Sequence, residues 1–146
     1  MTVVTVTGHR DTDLKRTYDR YSNRFKKEEP SLVIQGMAAG TDLVAAVAAI
    51  DLHIPVLSVK PWTTHKPRIA DRKTYAWVIA NSWDVYVTTE SETYPGAWCY
   101  DVRNRWMIDE GDEVWAWWTG IENGGTWNAI EYARKTDKKI VNLYEG

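Results

Sequence analysis

Apolar positions along the chain follow two alternating periods. Residues 3–7 form a β-branched run with the character of a strand. Over residues 11–29, Leu14, Tyr18, Tyr21 and Phe25 fall at steps of four, three and four, which is one face of a helix, and Pro30 closes the segment. Residues 32–35 predict a second strand. Residues 41–52 predict a helix that is apolar almost all round and is therefore expected to be buried. A third strand is expected at 56–59, entered through Pro55. A helix follows at 69–81 with Tyr75, Val78 and Ile79 on one side, then a fourth strand at 85–87. Residues 98–109 predict a helix that turns Val102, Trp106 and Met107 inward. A fifth strand at 114–118, a last helix at 126–135 and a sixth strand at 140–143 complete the pattern.

Strand and helix in strict alternation describe a parallel sheet covered on both faces. Residues 32–34 and 114–118 are apolar without alternation, as central parallel strands are. The expected fold is α/β: a single Rossmann-like, doubly wound domain over residues 1–146, with a mainly parallel sheet of about six strands. In such a fold ligands bind outside the carboxyl ends of the strands, near the point where the strand order reverses.

Composition narrows the partners. The chain has 146 residues, enough for one domain with a true core, and a formal net charge of −2. It therefore has no global basic field of the kind that drives non-specific nucleic-acid binding, although local patches remain open. No apolar run approaches the ~20 residues that span a bilayer, and the first residues enter a strand without a charged leader, so a cytoplasmic setting with no membrane partner is expected. Cys99 is alone and the histidines are His9, His53 and His65, so neither a disulfide nor a zinc spacing arises and no metal is expected. Tryptophan occurs nine times against one phenylalanine, which predicts a core made largely of indole and would also serve an apolar interface.

The candidate chemistry lies in three glycine-bearing loops, each after a strand and hence on one edge of the sheet. They hold Gly8 with His9 and Arg10; Gly36, Ala38, Gly40, Thr41 and Asp42; and Gly124, Gly125 and Thr126. The latter two open into helices, whose first turns carry unpaired N–H groups and the positive end of the dipole. Small residues let a phosphate reach that backbone. The alternative is that the glycines serve only the turns. Neither a Walker A sequence nor a GxGxxG fingerprint is present.

Further candidates each carry two readings. Arg103 and Arg105 either pair with a ligand phosphate through the planar guanidinium or form a solvated face bridged to Asp101 or Asp109. Trp62, Tyr94 and Trp98 either stack a base or pack their loops. Arg10 is a better anion contact than His9 because it is always charged. The basic run on the first helix reads as a solvated face. Lys60, His65, Lys66, Arg68, Arg72 and Lys73 would make a polyanion track if they neighbour the glycine edge.

The segments VTVTGHR, IQGMAAGTDLVAA, YPGAWCYDVRNRWMIDEGDEVWAWW and GGTWNAIEYARKTDKKIVNL occur in that order over nearly the whole chain. Together they resemble the SLOG superfamily, which joins the DNA-processing protein DprA to the "lonely guy" phosphoribohydrolases, and within it the YpsA-like branch. The resemblance implies a Rossmann-like fold whose glycine loops bind nucleotides or related phosphate-bearing ligands, it implies a homodimer, and it favours the ligand-binding reading of Arg103 and Arg105. The phosphoribohydrolases carry a PGGxGTxxE motif with a catalytic glutamate. Here the position three after Thr126 is Ala129, and Glu131 lies two further along on another helical face.

Three functions follow as expectations. The first is a sensor or sequestering module for a nucleotide-type, ADP-ribose-like ligand, with no other cofactor assigned. The second is a DprA-like single-stranded DNA-binding accessory of recombination. The third is an N-glycosidic hydrolase, in which Asp42, Asp109 or Glu131 would act as acid or base.

Overall fold

In the computed structural model, which describes residues 1–145, β1 (Val3–Gly8) sits inside a six-stranded sheet of order β4-β3-β2-β1-β5-β6 in which every pairing is parallel. The other strands are β2 (Leu32–Gln35), β3 (Val56–Lys60), β4 (Asp84–Val87), β5 (Glu113–Trp117) and β6 (Lys139–Asn142). The helices are α1 (Leu14–Glu28), α2 (Thr41–Asp51), α3 (Arg72–Asn81), α4 (Trp98–Glu110) and α5 (Gly124–Lys135). From β1 the chain steps outward through β2 and β3 to β4. It then returns through α4 to β5, on the other side of β1. Right-handed crossovers running in opposite directions place α1, α2 and α3 on one face and α4 and α5 on the other. The helix contacts agree: α2 packs against both α1 and α3, and α4 packs against α5.

Strand alternation divides the core between the faces. Val4, Val6, Val33, Val56, Trp115 and Trp117 point toward α1–α3, where Tyr21, Phe25 and the alanines of α2 meet them. Ile34, Leu57, Val59 and Val114 point toward α4 and α5, onto Met107, Ile108, Ala129 and Ala133. The small side chains Ala45, Ala46, Ala48 and Ala49 let α2 lie close to both its neighbours and the sheet, and all four are fully buried. Each fully buried Val, Leu or Phe in such a core contributes roughly 1.5–3 kcal/mol.

Several sequence expectations are corrected here. The core is mainly Val, Ala and Ile: of the tryptophans only Trp115 and Trp117 are buried, while Trp77, Trp83 and Trp98 are exposed. Helix α1 begins at Leu14 because the Asp13 carboxylate caps it through the Arg16 N–H at 3.1 Å, and Leu14 is exposed rather than part of the buried stripe. Val102 likewise faces solvent. Residues 69–71 form one 3₁₀ turn ahead of α3. Helix α5 begins two residues earlier than expected, so Gly124 and Gly125 belong to its first turn. Among the described residues no helix is long and apolar enough to cross a membrane.

Candidate functional site

Strands β1 and β5 are neighbours whose following segments diverge, one toward β2 and the other toward β6. The gap this leaves at their carboxyl ends is a cleft of about 510 Å³. Its walls are Gly8, His9 and Arg10 after β1, Ala38 and Asp42 from the β2–α2 loop, Tyr100, Arg103, Asn104 and Met107 from α4, and Gly124, Gly125, Thr126 and Ala129 from α5.

The β2–α2 loop is closed on itself. The Asp42 carboxylate accepts from the N–H groups of Gly36 (3.1 Å) and Ala38 (3.4 Å), and the Gln35 side chain accepts from the Met37 N–H at 2.7 Å. The start of α2 is filled from below by the His9 carbonyl, which accepts from the Thr41 N–H and hydroxyl. Gly40 in this loop and Gly8 at the end of β1 answer to packing. A Cβ on Gly40 (φ +76°) would lie 2.0 Å from the Arg10 carbonyl oxygen, and one on Gly8 would strike the Thr41 side chain. Hence Gly8, Ala38 and Asp42 face the cleft, while Gly36, Gly40 and Thr41 hold the floor beneath it.

The α5 loop is open. Gly124 has φ +85°, and a Cβ at Gly124 or Gly125 would meet nothing within 4 Å. Asn123, the N-cap, makes no side-chain capping hydrogen bond. The first-turn N–H groups have no intrahelical acceptor and carry the positive end of the helix dipole, and here they border the cleft. Of the two glycine loops that open helices, this is the one with free space for an anion.

Across the cleft stands Arg103, which is 7% exposed. Its Nη1 donates to the Gly36 carbonyl at 2.8 Å, and its Nε and Nη2 donate to the Asn104 side-chain oxygen. Among the described residues neither Arg103 nor Arg10 has a carboxylate within 4.0 Å. Burial pushes the Asp42 carboxyl up to about 6, against the opposing pull of Arg103 and the two loop amides. His9 is held as a neutral ring: its Nε2 accepts from the Thr119 N–H at 3.0 Å, and burial lowers its pKa. Arg105, placed at the ligand by sequence, lies on another face of α4, where it pairs with Asp101 at 3.0 Å and covers the Tyr132 ring.

The three candidate acids separate as sharply. Asp42 borders the cleft. Asp109 accepts from the Tyr132 hydroxyl at 2.6 Å, and Glu131 borders a surface groove beside Arg105 and Lys135. Ala129, at the position of the motif glutamate, does face the cleft, so α5 presents a methyl group there. Among the described residues no cluster of three or more metal-ligating side chains occurs.

The aromatic candidates also divide. Trp62 lines a smaller pocket of about 160 Å³ together with His65, Lys66, Arg68 and Tyr100. Tyr94 packs on the Trp62 ring at 5.2 Å, whereas the Trp98 indole N–H turns back to the Pro95 carbonyl at 3.1 Å. Sequence reasoning missed Tyr100, Asn104 and Met107. Their spacing with Arg103 on one stripe of α4 was the available signal.

No family model matches the chain, and no curated protein matches it in sequence. Solved structures do. The chain is similar to DNA processing protein A from Helicobacter pylori, whose structure describes its single-stranded DNA binding mode, at 17% identity and TM-score 0.76 over 95% of this chain and 63% of that one. It is similar to DprA from Streptococcus pneumoniae at 18% identity and TM-score 0.75, over 96% of this chain and 49% of that one. It is also similar to a molybdenum cofactor binding protein from Rippkaea orientalis at 19% identity and TM-score 0.66, over 95% and 74%. The chain thus spans about half to two thirds of the length of the DprA structures. The fold is Rossmann-like and shared with these proteins.

Proposed function

We propose that the cleft between β1 and β5 binds a phosphate-bearing, nucleotide-type ligand, and that the chain works as a sensor or sequestering module for it. The observation that carries this reading is the uncapped first turn of α5 facing a buried, ion-pair-free Arg103 across an open cleft. A phosphate-bearing ligand that spans the cleft would meet the orphan amides on one side and the guanidinium on the other. The ADP-ribose-like character expected from sequence belongs to the same reading. An N-glycosidic hydrolase would have to work through Asp42, because it is the one acid of the three that borders the cleft.

The test is thermal unfolding against mononucleotides, ADP-ribose, cyclic nucleotides and short single-stranded DNA. A ligand at 100 times its dissociation constant stabilises by about 2.7 kcal/mol, which moves Tm by several degrees. A shift with a small nucleotide that vanishes in Arg103→Met supports the reading; no shift with any nucleotide removes it.

A DNA-binding role is the second reading, favoured by the basic residues Lys66 and Arg68 beside Arg10 and by the single-stranded DNA bound by the similar Helicobacter pylori protein. Its signature is a shift with DNA alone that weakens steeply with salt.

A further inference from the structure

The cleft does not end at Arg10 and Arg103. These two, with Ala38 and Tyr100, also line the smaller Trp62 pocket, so the two cavities adjoin along the sheet edge. The two differ in chemistry. The larger runs to the α5 amides. The smaller is aromatic: the Trp62 ring meets His65 edge-on at 4.9 Å, Tyr94 at 5.2 Å and Tyr100 at 6.0 Å. Rings locked against one another in this way lose little freedom when a ligand arrives. His65 adds no charge to this wall. Burial first, then Arg103, Lys60 and Arg10, push it down to about 4, and its Nδ1 lies 3.0 Å from the Tyr75 hydroxyl.

The rim of the smaller half is cationic. Lys66 and Arg10 stand there, and the one rim carboxylate, Asp71, is taken by Arg68 at 2.9 Å. A neutral aromatic wall under a cationic rim suits a planar base attached to a phosphate. At about 160 Å³ this pocket is smaller than the roughly 300–1,000 Å³ that hold a whole small-molecule ligand. It is therefore sized as a subsite of something that continues into the larger half.

We propose that the two cavities act as one groove that takes a two-unit ligand joined through phosphate. One base lies in the Trp62 pocket, the bridging phosphate lies at Arg10 and Arg103, and the second unit lies in the larger half toward α5. The inference rests on the reading of the cleft as a nucleotide site and adds the class of ligand. The same chemistry is offered by a free diphosphate-bridged molecule and by two successive residues of a single strand.

Calorimetric titration of the full chain with AMP, ADP-ribose and the dinucleotide pTpT tests it. A two-unit probe is expected to bind about tenfold tighter than AMP, the value of one additional well-seated unit. It should be weakened about tenfold by Trp62→Ala and again by Gly125→Val, whereas AMP should respond to only one of the two. Trp62→Phe, which keeps a ring, and Lys66→Glu, on the exposed rim, separate stacking and charge from any folding defect. The first should retain most of the affinity and the second should lose it. ADP-ribose against pTpT identifies the source of the bridge. If Gly125→Val weakens every probe and Trp62→Ala and Lys66→Glu weaken none, the two-part groove is wrong and the nucleotide cleft stands. If no probe binds, both fall.

Discussion

Arg103 and Gly36, 67 positions apart in the chain, are joined by a 2.8 Å hydrogen bond from Nη1 to the carbonyl, and a Cβ on Gly36 would lie 2.9 Å from the Arg103 Nε. The glycine at the end of β2 is therefore the seat of the buried guanidinium. What the loop gives the cleft is a positioned cation, while its own amides are spent on Asp42.

Three glycine substitutions should separate packing from binding. Gly40→Ala forces a Cβ onto the Arg10 backbone at φ +76°, and a loss of about 3 kcal/mol is expected from strain and overlap. Gly36→Ala crowds the end of the Arg103 side chain and the Asp42 carboxylate, so stability should fall by about 1 kcal/mol while nucleotide affinity falls with it. Gly125→Ala meets nothing, and a gain of up to about 1 kcal/mol is expected, with weaker ligand binding. Urea melts beside titrations check all three. Equal losses of stability would refute the assignment.

Arg103 and Arg105 should behave as opposites. Arg103→Lys loses the planar fork that reaches Gly36 and Asn104, and about a tenfold loss of nucleotide affinity is expected. Arg105→Ala breaks an exposed pair with Asp101, so stability should change by no more than about 0.5 kcal/mol and affinity should stay constant. A larger effect on binding at Arg105 than at Arg103 would overturn the site.

Asp42 and His65 act in opposite directions with pH. Asp42 is raised from 3.8 to about 6, so the folded chain prefers its protonated form. That contribution is full below the unfolded value and is lost as pH rises through about 6, about 3 kcal/mol across the window. His65 is lowered from 6.5 to about 4, so its contribution is present above 6.5 and is lost as pH falls through about 4. Between pH 4 and 6.5 the two oppose each other. Relative to the wild type, Asp42→Asn should lose stability on acidification and His65→Gln should gain it. Denaturant unfolding at stepped pH reads the slopes, and identical slopes in all three proteins would dispose of the account.

Cys99 is fully buried near the start of α4, and burial raises its thiol pKa. Labelling by a thiol reagent at pH 8 should be slower than in the unfolded chain by about two orders of magnitude or more, because it waits for local opening. A bound ligand that holds Arg103 on the same helix should slow it further. Labelling at the unfolded rate would show α4 to be loosely held.

The sequence by itself determined the alternation of strand and helix, the burial of α2 and the edge on which the loops gather. These follow from local periodicity and from turn residues, which act over a few positions. It also carried the motif order that resembles the SLOG superfamily, and the fold is the Rossmann-like one which that resemblance implies. The tertiary structure decided which glycine loop is open. GMAAGTD and the Gly124–Gly125 turn look alike as strings, but the first is filled by Asp42 and by the His9 carbonyl, 33 and 32 positions away from Asp42 and Thr41 along the chain. It decided between Arg103 and Arg105, because a helix turns about 200° over two residues and only one of them meets Gly36. It also placed Trp62 and Tyr100 beside Arg10, a neighbourhood made by the sheet order. Contacts of this kind depend on which surfaces meet in space, and no local pattern of polar and apolar residues records that.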